Sequence, residues 1–283
     1  MRLFSEALLE ITVGGLLALA ASAIGWGLGW LDFTGALAAF VMGSVVFGLG
    51  GLPWAAVLLT FFISSSLLSI LFKSHKIESE KYAAKGLRRD AGQVLANGGL
   101  AGLAVIVYGF FPQNGWAWMG FAAAFAAANA DTWATEIGAL SRRRPVLITT
   151  GKVVEKGTSG GISLLGTVGS IFGSGIVALV ACLIWSASTP VATIWVFCGI
   201  FFAGVLGSLV DSLLGATLQQ VNYCPSCQKA TEMVPLHSCG TATRRLHGWS
   251  WLNNDWVNFF CTAGAIAGIY FFITATSFVQ AIF

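Results

Sequence analysis

Oxygen-bearing side chains stand at the ends of several long apolar stretches of this 283-residue chain, in positions suited to binding a hard metal ion. These residues are Asn129, Asp131, Glu136, Asp211, Asn254 and Asp255. Mg²⁺ prefers such oxygens and commonly takes one or two carboxylates together with substrate phosphates. We predict Asp131, Asp211 and Asp255 as the catalytic metal ligands, and the other three as supporting ligands. The alternative is that each acid ends a solvated helix or pairs with a basic loop residue.

A basic, glycine-rich segment follows the first two acids and has the features of a phosphate-binding loop. Its sequence is SRRRPVLITTGKVVEKGTSGGIS, residues 141–163. Glycines let the backbone approach phosphate oxygens, and the start of the next helix offers N–H groups and a positive dipole end. The predicted phosphate-binding residues are Lys152, Lys156, Gly157, Thr158, Ser159, Gly160 and Gly161, with Lys152 also assigned to catalysis. The spacing differs from a Walker A loop, so a flexible turn between helices stays an open alternative.

The segment KGLRRDAGQVLANGG, residues 85–99, suggests a second anion-binding region. Lys85, Arg88 and Arg89 are suited to an anionic headgroup. Gln93 and Asn97 lie four residues apart on the predicted helix and therefore share one face. A membrane anchor with flanking charges would explain the basic residues, but it would not explain two amides inside an apolar span.

The segment 220–250 carries cysteine and histidine at metal-ligand spacing. Cys224 and Cys227 form a C-x-x-C pair, and His237 and Cys239 form an H-x-C pair after them. Four such ligands can close a tetrahedral Zn²⁺ site, and a reducing compartment would disfavour disulfides. We predict a structural zinc knuckle, with free thiols or a redox pair as the alternatives.

The elements that must position these residues are membrane helices. The chain is 56% hydrophobic and only 10% charged, which is outside the range of ordinary soluble domains. About 20 apolar residues cross a bilayer core, and the sequence predicts an all-α polytopic membrane protein forming one domain over 1–283. The eight predicted spans lie near 8–30, 33–50, 53–72, 93–111, 115–140, 158–186, 190–219 and 256–280. The boundaries of the first two spans are the least defined, because the glycine-rich sequences GWGLGW and FGLGGLP could each form a loop or a kink.

Basic residues predict the orientation of these spans. Of the 15 Lys and Arg residues, 14 lie in the segments 73–89, 142–156 and 229–245. The positive-inside rule places these three loops in the cytoplasm, together with the predicted active site. No basic patch with interleaved aromatic residues occurs, so we expect no nucleic-acid partner. The oligomeric state is left open.

Three motifs resemble the integral membrane family of transmembrane protein 19 and plant phytyl-phosphate kinase. They are ADTWATEIG at 130–138, ITTGKVVEKGTSGGIS at 148–163 and WLNNDWVN at 251–258. The resemblance extends over most of the chain, including RRDAGQVLANGG and the CPSC and HSCG pairs. The order D-T, G-K and K-G-T-x-G-G is also similar, more weakly, to that of dolichol kinases and CDP-diacylglycerol synthases.

The resemblance implies a kinase that uses CTP to convert an isoprenyl monophosphate, such as phytyl, geranylgeranyl or farnesyl phosphate, into the diphosphate. Mg²⁺ would bind at the acids, the nucleotide phosphates at the glycine loop with Lys152 and Lys156, and the prenyl phosphate at Lys85, Arg88 and Arg89. The prenyl tail would lie among the spans.

Other function classes stay open at this stage. A CTP-dependent cytidylyltransferase would use the same groups but release pyrophosphate, whereas a kinase releases CDP. A transporter would be expected to place polar residues near the midplane of several spans, often in repeated halves. A purely structural membrane protein would tolerate replacement of its acids.

Overall fold

Eight α-helices dominate the described part of the chain, which in this computed structural model comprises residues 2–72, 88–112, 115–185 and 190–282. The helices are α1 (Arg2–Gly27), α2 (Phe33–Val45), α3 (Gly51–Leu71), α4 (Ala91–Phe110), α5 (Gly115–Ala139), α6 (Leu164–Ile184), α7 (Pro190–Thr217) and α8 (Asn254–Ile282). Asp32, Asp90 and Ser163 cap the starts of α2, α4 and α6 by accepting hydrogen bonds from backbone N–H groups. These caps satisfy donors that the first helical turn leaves unpaired.

A π-helical turn (Val46–Gly50) separates α2 from α3, which begins at Gly51. Gly51 has a φ of +71°, a conformation that only glycine adopts readily. The start of α2 and the end of α3 both reach Arg89: the Asp32 N–H donates to the Arg89 carbonyl, and the Arg89 guanidinium donates to Ser65 and Ser66. One straight helix of 39 residues would be about 58 Å long, so α2 and α3 must run antiparallel. The sequence FGLGGLP thus forms the break between the two helices.

Helix α5 lies at the centre of the bundle and packs against α3, α4, α6, α7 and α8. Its residues from 120 to 130 are buried, most of them completely. Five helical stretches of the described chain are long and apolar enough to cross a membrane: Phe33–Leu71, Ala91–Phe110, Leu164–Ile184, Thr193–Thr217 and Asn254–Ala275. The protein is therefore a helical membrane protein with several apolar helices, while the number of eight spans stays a prediction.

Two long loops, one between α5 and α6 and one between α7 and α8, contain short β-strands. In the first, β1 (Val146–Leu147) pairs antiparallel with β2 (Gly161–Ile162). In the second, β3 (Val221–Cys224) lies between β4 (Lys229–Thr231) and β5 (Arg244–His247). The sixth helix was expected from residue 158 but begins at Leu164, because residues 161 and 162 pair with β1 and Ser163 provides the cap.

Glycines allow α5 and α6 to approach closely. A Cβ atom built on Gly169 would lie 2.6 Å from the Trp133 carbonyl oxygen, and one on Gly173 would lie 2.8 Å from the Asn129 carbonyl oxygen. Large apolar residues of α6, such as Phe172 and Leu183, instead point outward and are 63% and 78% exposed. Small residues inside and large residues outside are typical of helix packing in lipid.

We expect Gly169→Ala to destabilise the bundle, since the added methyl group would force α6 away from the α5 backbone. Overpacking of this kind costs about 1–3 kcal/mol. Scanning fluorimetry of the purified protein in detergent should show a clear fall in Tm. Gly175→Ala is the matched control on the same helix, because its Cβ would have no neighbour closer than 3.8 Å. Equal melting of both variants would contradict the packing argument.

Candidate functional site

A polar cavity of about 430 Å³ lies at the end of the bundle that carries the long loops. Residues of all six helices from α3 to α8 line it. All three basic segments of the sequence contribute to its wall. Arg89 comes from the first, Lys156 with the loop 157–161 (the glycine loop) from the second, and Glu232 from the third. Segments that are far apart in the chain thus meet around one space, as expected if the three loops share a membrane face.

Asp131 of α5 and Asp211 of α7 form an acidic pair in this cavity. Their carboxyl groups lie within hydrogen-bonding reach, and Glu232 adds a third negative charge close to Asp211. Two carboxylates at this separation repel each other unless a proton or a cation lies between them. In addition, Oδ2 of Asp211 is buried and receives no hydrogen bond from the described residues. The pair therefore offers the oxygen ligands that a divalent cation needs.

Of the other predicted Mg²⁺ ligands, Asn129 and Glu136 are engaged by neighbouring residues of the bundle. Asn129 is fully buried and joins helices: its Oδ1 accepts from Ser64, and its Nδ2 donates to the Gly173 carbonyl at 2.8 Å. Its side chain is committed to packing, and it does not line the cavity. Glu136 does line the cavity, but it accepts a hydrogen bond from Ser69 and faces Arg89.

Helix α8 presents amides to the cavity in place of the predicted carboxylate. Asn254 and Asn258 line it, whereas Asp255 does not. Residues four positions apart share a helix face, so the side that carries both asparagines turns the intervening Asp255 away. Asn254 thus lines the cavity, as expected. The sequence analysis missed Asn258, although its spacing of four residues from Asn254 indicates that the two share a helix face.

The glycine loop lines the cavity directly before the start of α6. Gly157 and Gly160 have φ values of +87° and +75°, and the loop ends at the capped start of α6, where Ser163, Gly166 and Thr167 also face the cavity. A helix start with adjacent glycines is suited to binding anions. All five predicted residues, Gly157, Thr158, Ser159, Gly160 and Gly161, line the cavity.

The two lysines of this segment differ in position. Lys156 lines the cavity, and its Nζ donates to the Ala139 carbonyl at 3.4 Å. Lys152 is exposed and does not line the cavity, because the chain from Leu147 to Lys152 forms an outward turn closed by their backbone hydrogen bond of 2.8 Å. The structure therefore does not place Lys152 with the acids it was predicted to assist.

Arg89 is the cation held most firmly in the cavity wall. Its guanidinium donates to Ser66 at 2.8 Å and to Ser65 at 3.0 Å, and it lies 5.6 Å from the centre of the Phe61 ring. Burial lowers the pKa of Arg89 to about 10, and the charge of Glu136 acts in the opposite direction. The guanidinium is therefore protonated at neutral pH and is oriented by its neighbours.

The remaining residues of the predicted anion-binding region divide into two groups. Gln93 and Asn97 share a face of α4 and line the cavity, as their spacing predicted. Gln93 also closes the capping box with Asp90. Arg88 is exposed and lies outside the cavity, and Lys85 lies outside the described residues. Only Arg89 of the three predicted cations is thus seen at the site.

The cysteine and histidine ligands of the second long loop come together as the spacing predicted. The ligand atoms of Cys224, Cys227, His237 and Cys239 all lie within 4.8 Å of one another, with 3.6 Å between the Cys224 and Cys239 sulfurs. Two sulfurs on one tetrahedral Zn²⁺ would be about 3.8 Å apart. Hydrogen bonds with Thr241 and His237 lower the pKa of Cys239 to about 5, whereas a hydrogen bond to Cys239 raises the pKa of Cys227 to about 11.

Several cavity residues had no role in the sequence-based prediction. They are Ser69, Ser163, Ser170, Ser208, Ser212, Gln219, Glu232 and Asn258. Ser208 precedes Asp211 by three residues, so helical spacing was a signal for it. Residue spacing in the sequence does not predict that Gln219 or Glu232 lines the cavity. Both reach the cavity through the fold of the loop between α7 and α8.

The fold and the cavity define a polytopic helical membrane protein with an acidic, glycine-lined cavity at the end of the bundle that carries the long loops. The chain belongs to the family described as Integral membrane protein DUF92, which matches residues 16–266. This membership confirms the family resemblance noted in the sequence.

Proteins from archaea and plants are similar to the chain. Protein PGR of Arabidopsis thaliana is 31% identical over 75% of this chain and 80% of its own length. Uncharacterized membrane protein MJ0933 of Methanocaldococcus jannaschii is 35% identical over 56% of this chain. The matched region covers 63% of that protein, which is just under two thirds of its length. Protein VTE6, chloroplastic, of Arabidopsis thaliana is 29% identical over 50% of this chain and 33% of its own length. No solved structure matches the chain.

Proposed function

We propose that the protein is a CTP-dependent kinase that converts an isoprenyl monophosphate into its diphosphate at the cytoplasmic membrane face. The observation that carries this proposal is the convergence of an acidic pair, a glycine loop at a helix start and a half-buried arginine on one cavity. The similarity to plant relatives such as Protein VTE6, within a family of integral membrane proteins, also supports the proposed kinase activity. The three basic loops support the cytoplasmic orientation.

Phosphoryl transfer asks a protein mainly to position two phosphates and to neutralise their charge. In our proposal Asp131 and Asp211 hold Mg²⁺, which neutralises charge on the phosphate oxygens. The glycine loop, Lys156 and the start of α6 bind the CTP phosphates, and Arg89 binds the prenyl phosphate. An oxygen of the prenyl phosphate attacks the γ-phosphorus while the bond to the β-γ bridging oxygen breaks, and CDP leaves. No general base is needed, because the attacking oxygen is already anionic.

A second, apolar cavity supports the assignment of the lipid. It has a volume of about 60 Å³ and lies between α1, α2, α3, α4 and α5, where Met42, Phe47 and Phe125 contribute to its wall. Arg89, Gln93 and Asn97 line both this cavity and the polar one, and they therefore mark the junction of the two. A phosphate bound at Arg89 would direct the start of its prenyl tail towards the apolar cavity.

We expect Ala39→Phe to reduce activity with long prenyl phosphates, because Ala39 of α2 lines the apolar cavity and the larger ring would fill it. The kcat/KM for geranylgeranyl phosphate should fall by about tenfold, the scale on which pocket volume discriminates apolar groups. Leu37→Phe is the matched control on the same helix, since Leu37 is exposed and does not line either cavity. An unchanged kcat/KM in Ala39→Phe would contradict this placement of the tail.

We also propose that the Cys/His cluster binds one structural Zn²⁺, because its donor set and spacing match a closed tetrahedral site with no open position. Elemental analysis of the purified protein should give about one zinc per chain. Cys224→Ser should remove the metal and destabilise the loop. Cys198→Ser in α7 is the control and should retain it. Full zinc content in Cys224→Ser would contradict the proposal.

The activity is tested with purified protein, Mg²⁺, CTP and geranylgeranyl or phytyl monophosphate, by measuring prenyl diphosphate, CDP and pyrophosphate together. Formation of prenyl diphosphate and CDP in equal amounts is the expected result. Pyrophosphate with a CDP-linked lipid would instead identify a cytidylyltransferase. No turnover with any tested nucleotide or prenyl length would overturn the kinase proposal.

A further inference from the structure

Glu232 connects the Cys/His loop to the glycine loop through one carboxylate oxygen. Ser159 Oγ of the glycine loop donates to Glu232 Oε1 at 2.8 Å, and Gln219 Nε2 at the end of α7 donates to the same oxygen at 2.7 Å. Gln219 is only 2% exposed. The carboxylate therefore joins three segments of the chain at the wall of the polar cavity.

The glycine loop is packed tightly against the end of α7 beside this contact. A Cβ atom on Gly160 would lie 2.4 Å from the Ala216 backbone nitrogen, and one on Gly215 would lie 2.9 Å from the Gly160 nitrogen. The backbone of the loop thus rests on α7, while Ser159 and Gln219 bind Glu232 on either side of this contact. Movement of Glu232 would release the side-chain bond that holds the loop in place.

The position of Glu232 depends on the small sheet of the Cys/His loop. Glu232 directly follows β4, and β4 pairs with β3 so that Lys229 lies opposite Cys224. Cys224 is the last residue of β3 and one of the four clustered ligands. A metal ion at the cluster would fix the turn between these two strands, and hence the strand that leads to Glu232.

We propose that Glu232 is a positioning residue that couples metal binding at the Cys/His cluster to the conformation of the glycine loop. The metal holds the β3–β4 turn, the strands present Glu232, and Glu232 holds Ser159 and Gln219. The phosphate-binding role of the loop rests on the proposed kinase function, but the mechanical coupling does not.

Hydrogen–deuterium exchange of the full protein in detergent tests the coupling without any activity. Removing zinc with a chelator should speed exchange in the Cys/His loop and also in residues 157–163. Glu232→Ala should speed exchange by about tenfold in 157–163, because hydrogen bonds to a charged acceptor are lost, and it should leave the zinc content intact. Glu232→Gln keeps an acceptor oxygen and should retain most of the protection. Lys229→Ala, on the exposed edge of the same sheet, is the control.

Unchanged exchange in 157–163 after zinc removal, or in Glu232→Ala, would overturn the proposal. Equal loosening by Ala and Gln would also overturn it, because acceptance of the two hydrogen bonds would then not be the function of Glu232. If the kinase proposal holds, Glu232→Ala should raise the KM for CTP by about tenfold with kcat changed less than about twofold. If no kinase activity exists, the exchange result still decides the coupling.

Discussion

Asp131→Asn should reduce kcat of the prenyl-phosphate kinase reaction by about 100- to 1,000-fold, the usual cost of removing a group that stabilises charge at a reacting centre. The substitution keeps the shape of the side chain but removes the charge that would hold Mg²⁺ together with Asp211. It also removes the repulsion between the two carboxylates, so the variant should melt at the same temperature as the native protein or higher. Turnover and Tm measured on one preparation test both parts.

Asp32→Asn is the matched control for this prediction. Asp32 lies near the same membrane face, outside the polar cavity, and caps α2 by accepting from the Gly35 N–H at 2.7 Å. Asparagine caps a helix as well as aspartate does, so activity should be retained. Native turnover in Asp131→Asn would exclude the acidic pair as the metal site. A decrease of equal size in the control would show that the loss reflects general sensitivity to charge.

Arg89→Ala should raise the KM for the prenyl phosphate by about 100-fold, since paired arginine–phosphate hydrogen bonds are among the strongest in proteins. The KM for CTP should change far less, because the glycine loop lies elsewhere in the cavity wall. Arg89→Lys keeps the charge but not the planar fork, and we expect a rise of about tenfold. Steady-state kinetics with each substrate varied in turn measure both values.

Stability needs its own control at this position, because Arg89 also binds Ser65 and Ser66 and faces the buried Glu136. Removing one partner of a buried charge pair is destabilising, so Arg89→Lys is the variant expected to stay folded. Arg88→Ala changes the adjacent residue, which is exposed, and should leave both KM values unchanged. A similar rise in Arg88→Ala would mean that general surface charge, and not Arg89 itself, attracts the lipid phosphate.

Much of the site was predictable where local spacing and side-chain chemistry determine position. The four zinc-ligand candidates lie in two short motifs, and both motifs form tight turns. Gln93 and Asn97 lie on one helix face because four residues make about one turn. The glycine loop was predictable because a basic, glycine-rich segment before an apolar helix places backbone N–H groups at a helix start.

Predictions failed where the rotation of a helix or the path of a loop decides which way a side chain points. Asn129 and Asp131 are two residues apart, so the helix turns Asn129 towards Ser64 and Gly173 and turns Asp131 towards the cavity. In the same way α8 presents its asparagines and not Asp255. Lys152 was assigned to the site from its charge, but the turn after β1 carries it outward.

The sequence by itself determined the membrane class, the helical segments and the residue types of the site. Lipid requires long apolar helices, and the free-energy cost of burying polar groups in lipid makes such groups rare within them. The tertiary structure alone decided which polar groups meet. Close packing of α5 and α7 brings Asp131 to Asp211, although 80 residues separate them in the chain. The fold of the Cys/His loop brings Glu232 to Ser159, a contact between residues 73 apart. Such long-range contacts depend on how whole elements pack, and no local pattern in the chain encodes them.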